Sequence, residues 1–170
     1  AKMGHNRKQM ISFFVTSSCN FKCIYCYIPS IGKFIEKDHR DIDIDFAVVG
    51  MKDFFKWCKV PRIRYFSAGE PTVAFDKMVA IYNEGYKLAG KNLRVELQTN
   101  GYFNATVAEW VEKHVDILWV SLDGPPDVQN QQKPLKNGRN SSELVAKNVK
   151  RFAKHPNMQV GVRATIMPEN

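Results

Sequence analysis

The sequence predicts an α/β protein whose parallel strands form one sheet with helices packed on its outside. Three observations carry this prediction. Short apolar runs rich in β-branched and aromatic residues alternate with longer segments whose apolar residues recur at helical spacing. Turn-forming Pro, Gly and Asn residues separate the two kinds of segment. The alternation continues along the chain, and strands that alternate with helices pair in parallel.

The predicted elements follow one another without a domain linker or a close repeat. The strands cover 11–16, 63–67, 93–99, 117–122 and 159–167. The helices cover 45–59, 75–89, 106–114 and 140–154. The first helix is predicted from the spacing of its apolar residues, Phe46, Val49, Phe54 and Trp57. Gly90 is a C-terminal cap for the second helix, and Asn140 with Glu143 forms a capping box for the last.

Composition limits the class of protein. The chain has 170 residues, of which 44% are hydrophobic, and this excludes collagen-like, low-complexity and wholly disordered chains. No apolar run approaches the roughly 20 residues of a membrane-spanning helix, and the basic N-terminus lacks the apolar core of a signal peptide. We therefore predict a cytoplasmic protein with no membrane partner.

The net charge of +8 permits several partners. A basic surface, an acidic substrate, an anionic cofactor and RNA all fit it. The basic residues are spread along the chain without a compact Lys/Arg run that includes aromatic residues. Charge therefore does not predict nucleic-acid binding.

Three of the four cysteines are clustered as Cys19-x3-Cys23-x2-Cys26. Disulfides explain this poorly, because a reducing compartment is expected and three clustered cysteines leave one unpaired. Thiolates at such spacing bind iron–sulfur clusters. A structural zinc site is the alternative, but it needs a fourth ligand and the nearest candidate is His39. Cys58 follows Trp57 at helical spacing beside aromatic residues, which predicts a buried core thiol.

Unusual polar residues follow each predicted strand. The cysteine loop follows the first strand and 67–72 follows the second, while 98–101 and 121–124 end the third and fourth. Arg163 and Thr165 lie on the fifth. Each segment alone is an ordinary turn. Together they predict a functional site, because the carboxyl ends of parallel strands meet at one edge of the sheet.

The cysteine motif after the first strand and Ser67-Ala68-Gly69-Glu70-Pro71 after the second resemble the radical S-adenosylmethionine (radical SAM) superfamily. The segment Ser121-Leu122-Asp123-Gly124-Pro125 resembles the branch that contains anaerobic sulfatase-maturating enzymes and SPASM-type peptide maturases. The resemblance covers 11–167. It implies a partial TIM-like (β/α)6 barrel with about five strands present and the C-terminal end missing. It also implies that 1–170 is a truncated core domain, with 1–10 as an N-terminal extension.

The resemblance implies a function as well. Cys19, Cys23 and Cys26 would hold a 4Fe–4S cluster whose open iron binds S-adenosylmethionine. The reduced cluster would cleave this cofactor to methionine and a 5′-deoxyadenosyl radical, which abstracts hydrogen from a peptide or protein. The family match implies further cofactor-binding residues: Tyr25 at the adenine, Gly69 and Glu70 at the methionine end, Ser121 near the ribose, and Asn100 and Arg163 at the rim. An electron donor such as flavodoxin or ferredoxin would be a partner.

The sequence departs from the family pattern at two positions and near its end. Ala68 stands where the family commonly has Gly. Lys133 stands where relatives usually carry an Arg, and a lysine lacks the planar guanidinium that would contact the cofactor. Cys58 is the one spare cysteine, which leaves no ligand set for a second cluster. The fifth strand is expected to present an unpaired edge that favours self-association.

Two other functions remain open. The chain could bind its cofactors without turnover of its own, since no base or radical partner is identifiable. Alternatively, it could modify RNA or a small molecule within the same superfamily. The Tyr25, Asn100 and Arg163 side chains also have ordinary structural interpretations in packing, a turn and an ion pair.

Overall fold

The computed structural model describes residues 9–28 and 41–168. Its strands form a single parallel sheet in the order β1-β2-β3-β4-β5. The strands are β1 (Ile11–Phe14), β2 (Arg62–Phe66), β3 (Arg94–Thr99), β4 (Ile117–Ser121) and β5 (Gln159–Arg163). The predicted fold class is confirmed, and sequence order equals spatial order as in a strand–helix winding.

Five α-helices connect the strands in the described part of the chain. They are α1 (Ile44–Phe54), α2 (Phe75–Ala89), α3 (Ala105–His114), α4 (Pro126–Gln132) and α5 (Ser142–Phe152). A 3-10 turn, Pro71–Ala74, precedes α2. Gly90 ends α2 with a φ of 56°, a conformation that glycine adopts without steric cost.

Several predicted boundaries were wrong. α1 ends at Phe54 rather than at residue 59, and β5 ends at Arg163 rather than at 167. The sequence analysis missed α4, a helix of 7 residues too short for a periodic apolar pattern. The predicted capping box of α5 is absent as well. Instead, the Asn130 side chain accepts hydrogen bonds from the backbone N–H groups of Ser141 and Ser142.

The two faces of the sheet differ in composition. One face is covered by helices and is apolar, with fully buried Ile63, Leu97 and Leu118. Tyr65 on this face donates a hydrogen bond from its hydroxyl to the Met78 carbonyl of α2. The opposite face, which we call the open face, carries polar and aromatic side chains. By strand alternation these are Arg64, Phe66, Glu96, Gln98, Trp119 and Arg163.

Helix α1 buries a different stripe from the one its largest residues suggest. Ala47 and Met51 are buried, whereas Phe46 is 74% exposed, and Trp57, which lies beyond the end of the helix, is 77% exposed. Met51 fits because Gly85 on α2 leaves room: a Cβ there would lie 3.3 Å from its sulfur. Cys58 is half-buried rather than a core thiol, because the chain has left the helix before it.

Candidate functional site

The cysteine loop lies at the carboxyl end of β1 and is held by the last residue of α4 and the segment after it. The backbone N–H groups of Lys22 and Ile24 donate to the carbonyls of Pro134 and Gln132. Phe21 and Leu135 form an isolated antiparallel bridge beside these bonds. Backbone bonds position this loop independently of its side-chain types, which leaves the thiols available.

All three loop thiols are free and lie near one another. Cys19 and Cys23 are half-buried, and Cys26 is exposed. Burial raises the pKa of Cys19, and it raises the pKa of Cys23 to about 11. Charges on the other two cysteines contribute to the shift at Cys23, so the three sulfurs interact electrostatically.

The loop after β2 packs directly on the cysteine loop. The backbone N–H groups of Gly69 and Glu70 donate to the carbonyls of Thr16 and Ser18. A Cβ at position 69 would lie 2.0 Å from the Ser18 carbonyl oxygen. Only glycine fits here, and the backbone it approaches belongs to the cysteine loop.

The Glu70 carboxylate is buried and already accepts four hydrogen bonds. Its donors are the Thr72 hydroxyl and backbone N–H, the Thr99 hydroxyl at 2.6 Å and the Asn100 N–H at 2.6 Å. Glu70 is only 2% exposed. Burial raises the pKa of its carboxyl group, whereas these hydrogen-bond donors lower it. Glu70 thus fastens the end of β3 to the loop after β2.

Asn100 continues this connection to the cysteine loop. Its side-chain Nδ2 donates to the side-chain Oδ1 of Asn20 at 2.7 Å, and Asn20 Nδ2 in turn donates to the backbone carbonyl of Tyr102. Asn100 is therefore part of a polar chain rather than a simple turn residue. Asn20 stands beside Cys19, so the chain from Glu70 ends next to a predicted cluster ligand.

Asp123 joins three segments on the other side of the loop. One oxygen accepts from the Tyr25 hydroxyl at 2.5 Å, and the other accepts from the Thr165 N–H and lies 3.6 Å from Lys133 Nζ. Its side chain is fully buried. The Lys133 ammonium also lies 5.6 Å from the centre of the Tyr25 ring. Burial and the Asp123 bond raise the pKa of Tyr25.

Ser121 and Arg163 pair in register at the ends of β4 and β5. Among the described residues, the Ser121 hydroxyl has no hydrogen-bond partner. The Arg163 guanidinium instead contacts Gln98 and Trp119 on the open face. Arg163 is the last residue of β5, so it lies at the carboxyl end of the sheet as expected from the sequence, and its role at the rim stays a prediction.

The structure brings all the predicted site residues to the carboxyl end of the sheet, where the Arg163 guanidinium turns to Gln98. Sequence reasoning missed the parts played by Asn20 and by the fully buried Asp123 carboxylate. The sequence analysis places Asp123 in a segment at the edge of the sheet but assigns its side chain no role. Its place directly after a buried strand, opposite an aromatic of the cysteine loop, was the available signal.

The donor set fits an iron–sulfur cluster. Within 9–28 and 41–168, no three ligating side chains lie close enough to bind one metal ion together. A cluster does not require this, because each iron takes its own thiolate. The backbone N–H of Phe21 donates to Cys19 sulfur at 3.4 Å, a contact that favours a thiolate. His39, the zinc alternative, lies outside the described residues.

In the described residues, no helix is long and apolar enough to span a membrane.

Comparison with known proteins identifies a family. The model for the radical SAM superfamily matches residues 13–170. An uncharacterized protein, MJ0907, of Methanocaldococcus jannaschii is 29% identical over 161 residues, covering 92% of the chain and 52% of the relative. A cysteine-type anaerobic sulfatase-maturating enzyme of Clostridium perfringens is 28% identical, covering 68% of the chain and 32% of the enzyme. A GTP 3',8-cyclase of Campylobacter fetus is 34% identical over 118 residues, covering 64% and 34%.

Solved structures share the fold. The native anSMEcpe enzyme with bound AdoMet and a Kp18Cys peptide superposes with a TM-score of 0.70 at 21% identity, covering 92% of the chain and 43% of the enzyme. SuiB of Streptococcus suis, bound to the precursor peptide SuiA, gives a TM-score of 0.60 at 14% identity, covering 91% and 32%. The chain spans between about a third and a half of the curated relatives it matches.

Proposed function

Because the chain belongs to the radical SAM superfamily, we propose that it holds a 4Fe–4S cluster on Cys19, Cys23 and Cys26 and binds S-adenosylmethionine beside it. The observation that carries this proposal is the close packing of the two loops. Gly69 and Glu70 donate backbone hydrogen bonds into the segment that leads to the first cysteine. Residues 1–170 then make up a core domain of this superfamily, with 1–10 as an extension.

When bound, the two cofactors supply reductive cleavage of a carbon–sulfur bond and hydrogen abstraction from a substrate. The protein supplies position and shielding. The backbone bonds from Lys22 and Ile24 hold the cysteine loop against the segment after α4. The chain Glu70–Asn100–Asn20 holds its other side.

The cofactor-binding residues are proposed from their positions. The Ser121 hydroxyl contacts the ligand directly, and the Tyr25 ring packs on the adenine with its hydroxyl anchored on Asp123. Gly69 brings its backbone to the methionine end. Glu70 uses most of its acceptor capacity within the protein, so its contact with the ammonium is limited to Oε2, which has one protein donor. Asn100 and Arg163 lie at the rim, where the Arg163 guanidinium also donates a hydrogen bond to Gln98.

The substrate that we propose is a peptide or protein side chain. The support is the resemblance of Ser121-Leu122-Asp123-Gly124-Pro125 to the maturase branch, together with the two peptide-bound structures that share the fold. An electron donor of the flavodoxin or ferredoxin type would reduce the cluster. A small molecule is the second candidate, which the similarity to a GTP 3',8-cyclase favours.

Iron content tests the cluster. Anaerobically reconstituted chain should hold about four irons and four sulfides. Cys26→Ala should lose this cluster because one iron loses its thiolate. Cys58→Ala is the matched control and should keep it, since Cys58 lies outside the loop. Tight zinc without a brown chromophore, or equal loss of iron in both variants, would contradict the proposal.

A second measurement separates turnover from mere binding. The reduced chain is incubated with S-adenosylmethionine, and methionine release is followed with and without deuterium-labelled peptides or GTP. Release accompanied by deuterium loss from a peptide supports the maturase function. Release stimulated by GTP alone would favour the small-molecule function, and no release at full cluster loading would identify a binding module.

A further inference from the structure

Two arginines of the open face converge on one oxygen atom. Arg64 of β2 and Arg163 of β5 donate hydrogen bonds to the same Gln98 side-chain oxygen, at 2.7 and 2.8 Å. Gln98 lies on β3, between them in the sheet. A neutral amide oxygen carries only a partial negative charge, so it offsets little of the repulsion between two guanidinium groups at this distance.

The one acidic group paired with these arginines neutralises only one of the two guanidinium charges. Glu96 Oε1 lies 3.4 Å from Arg64 Nε, yet that nitrogen is buried and makes no hydrogen bond in the described structure. Within the described residues, no carboxylate lies within ion-pair distance of Arg163. The Arg64, Glu96 and Arg163 side chains together carry a net positive charge, and the buried Arg64 Nε has no hydrogen-bond acceptor.

The site is shaped by aromatic rings. The Arg163 guanidinium carbon lies 5.3 Å from the centre of the Trp119 ring, and the Arg64 carbon lies 5.3 Å from that of Phe66. Gly161 makes room for Trp119, because a Cβ there would lie 2.2 Å from the ring. Stacking on rings orients guanidinium groups and leaves their N–H edges for a planar anion.

We propose that Arg64, Gln98 and Arg163 form a binding site for a carboxylate group of the substrate. The inference rests on the proposed function for the identity of the ligand as a substrate, but its physical basis is the charge and geometry of the open face. Arg163 is two residues before Thr165, whose backbone contacts Asp123 beside Tyr25. A carboxylate bound here would lie on the open face, near the carboxyl end of β5.

Titration of the full chain followed by NMR tests the site. Glutarate is the probe, glutaramide is its neutral counterpart, and the Nε–Hε signals of the arginines are observed. Arg64 and Arg163 signals should shift saturably with glutarate and not with glutaramide. Arg163→Gln should weaken glutarate binding about tenfold, because it removes a charge-assisted hydrogen bond. Arg163 is exposed, so this variant is expected to fold.

The matched control is Arg94→Gln. Arg94 lies at the other end of β3, paired with Asp116, and its loss should leave glutarate affinity unchanged. Equal weakening in both variants, equal shifts with glutaramide, or tighter binding of inorganic phosphate than of glutarate would overturn the carboxylate site. Iron loading, measured on the same preparations, reports on the proposed function separately, so the two failures are distinguishable.

Discussion

Gly69 shows how a single residue type is imposed by packing between two loops. The nearest atom to its missing side chain is a backbone oxygen of Ser18, which cannot rotate away as a side-chain tip would. A methyl group at this position therefore has to displace the segment that carries the cysteines. The requirement for glycine is steric and exists before any cofactor binds.

Gly69→Ala should consequently lower the free energy of unfolding by about 1–3 kcal/mol, the usual cost of overpacking. It should also reduce iron loading. Gly50→Ala is the matched control. Gly50 lies within helix α1, and a Cβ there would meet only the tip of the Ile11 side chain, at 3.4 Å. Alanine inside a helix is more stable than glycine by about 0.5–1 kcal/mol. Urea unfolding of both variants measures the difference, and equal stabilities would contradict the packing argument.

Glu70 has a comparable structural task at the level of one side chain. Glu70→Gln replaces one carboxylate oxygen with an NH2 group that must face a donor: Asn100 N–H on one side, or Thr72 and Thr99 on the other. We expect a loss of about 1–3 kcal/mol in unfolding free energy, the cost of an unsatisfied buried polar group. Glu84→Gln is the control, because Glu84 pairs with Lys87 on the surface. A loss no larger at position 70 than at 84 would mean that the network contributes nothing.

At the scale of elements, helix α3 ends in an aromatic cluster that contains a histidine. The His114 ring lies 4.4 Å from the Tyr82 ring and 5.1 Å from the Trp110 ring, between centres. Burial lowers the pKa of His114 from 6.5, and Lys113 contributes to the shift. The folded state thus binds this proton less well than the unfolded state does.

The stabilising contribution of neutral His114 is therefore fully present above about pH 6.5, its ordinary value, and is lost as the pH falls below that value through the folded-state pKa. Urea unfolding of wild type and His114→Phe should show this. Wild type should lose stability relative to the variant as the pH falls below about 6.5, because the pKa of His114 is lowered on folding. A constant difference across the series would show that His114 does not titrate differently on folding.

At the scale of the whole molecule, β5 forms an edge of the sheet. It pairs with β4, and no other strand pairs with it within the described residues. Val162 on β5 is 49% exposed, and Ile166 beyond it is 85% exposed. An exposed strand edge with apolar side chains favours pairing with another chain.

We predict that the 170-residue chain self-associates through this edge. Val162→Lys should reduce the association, because a charge on an edge strand opposes pairing. Val60→Lys is the matched control, since Val60 is similarly exposed, at 50%, and lies before β2. Sedimentation at several concentrations measures the effect. A chain that is monomeric throughout, or that responds equally to both substitutions, would contradict an interface at β5.

Much of the architecture follows from local patterns in the sequence. The alternation of apolar runs and helical spacing predicted all five strands, and it predicted that the cysteine loop and the segments around Gly69, Asn100 and Ser121 share one edge. The physical reason is that parallel strands point their carboxyl ends the same way, so order along the chain determines position at the edge. Residue types on those loops then indicated the chemistry.

The contacts that the tertiary structure alone decided join residues far apart in the chain. Glu70 meets Thr99 and Asn100, Tyr25 meets Asp123, and Arg64 and Arg163 meet at Gln98. The family resemblance implied a ligand contact for Glu70 and a rim position for Arg163, and both stay predictions, but these hydrogen bonds within the protein could not be read from the segments themselves. The fold decides which donors bind a buried carboxylate and which residues of α1 pack on Gly85. Both depend on neighbours that are distant in the chain, and no local sequence pattern encodes such neighbours.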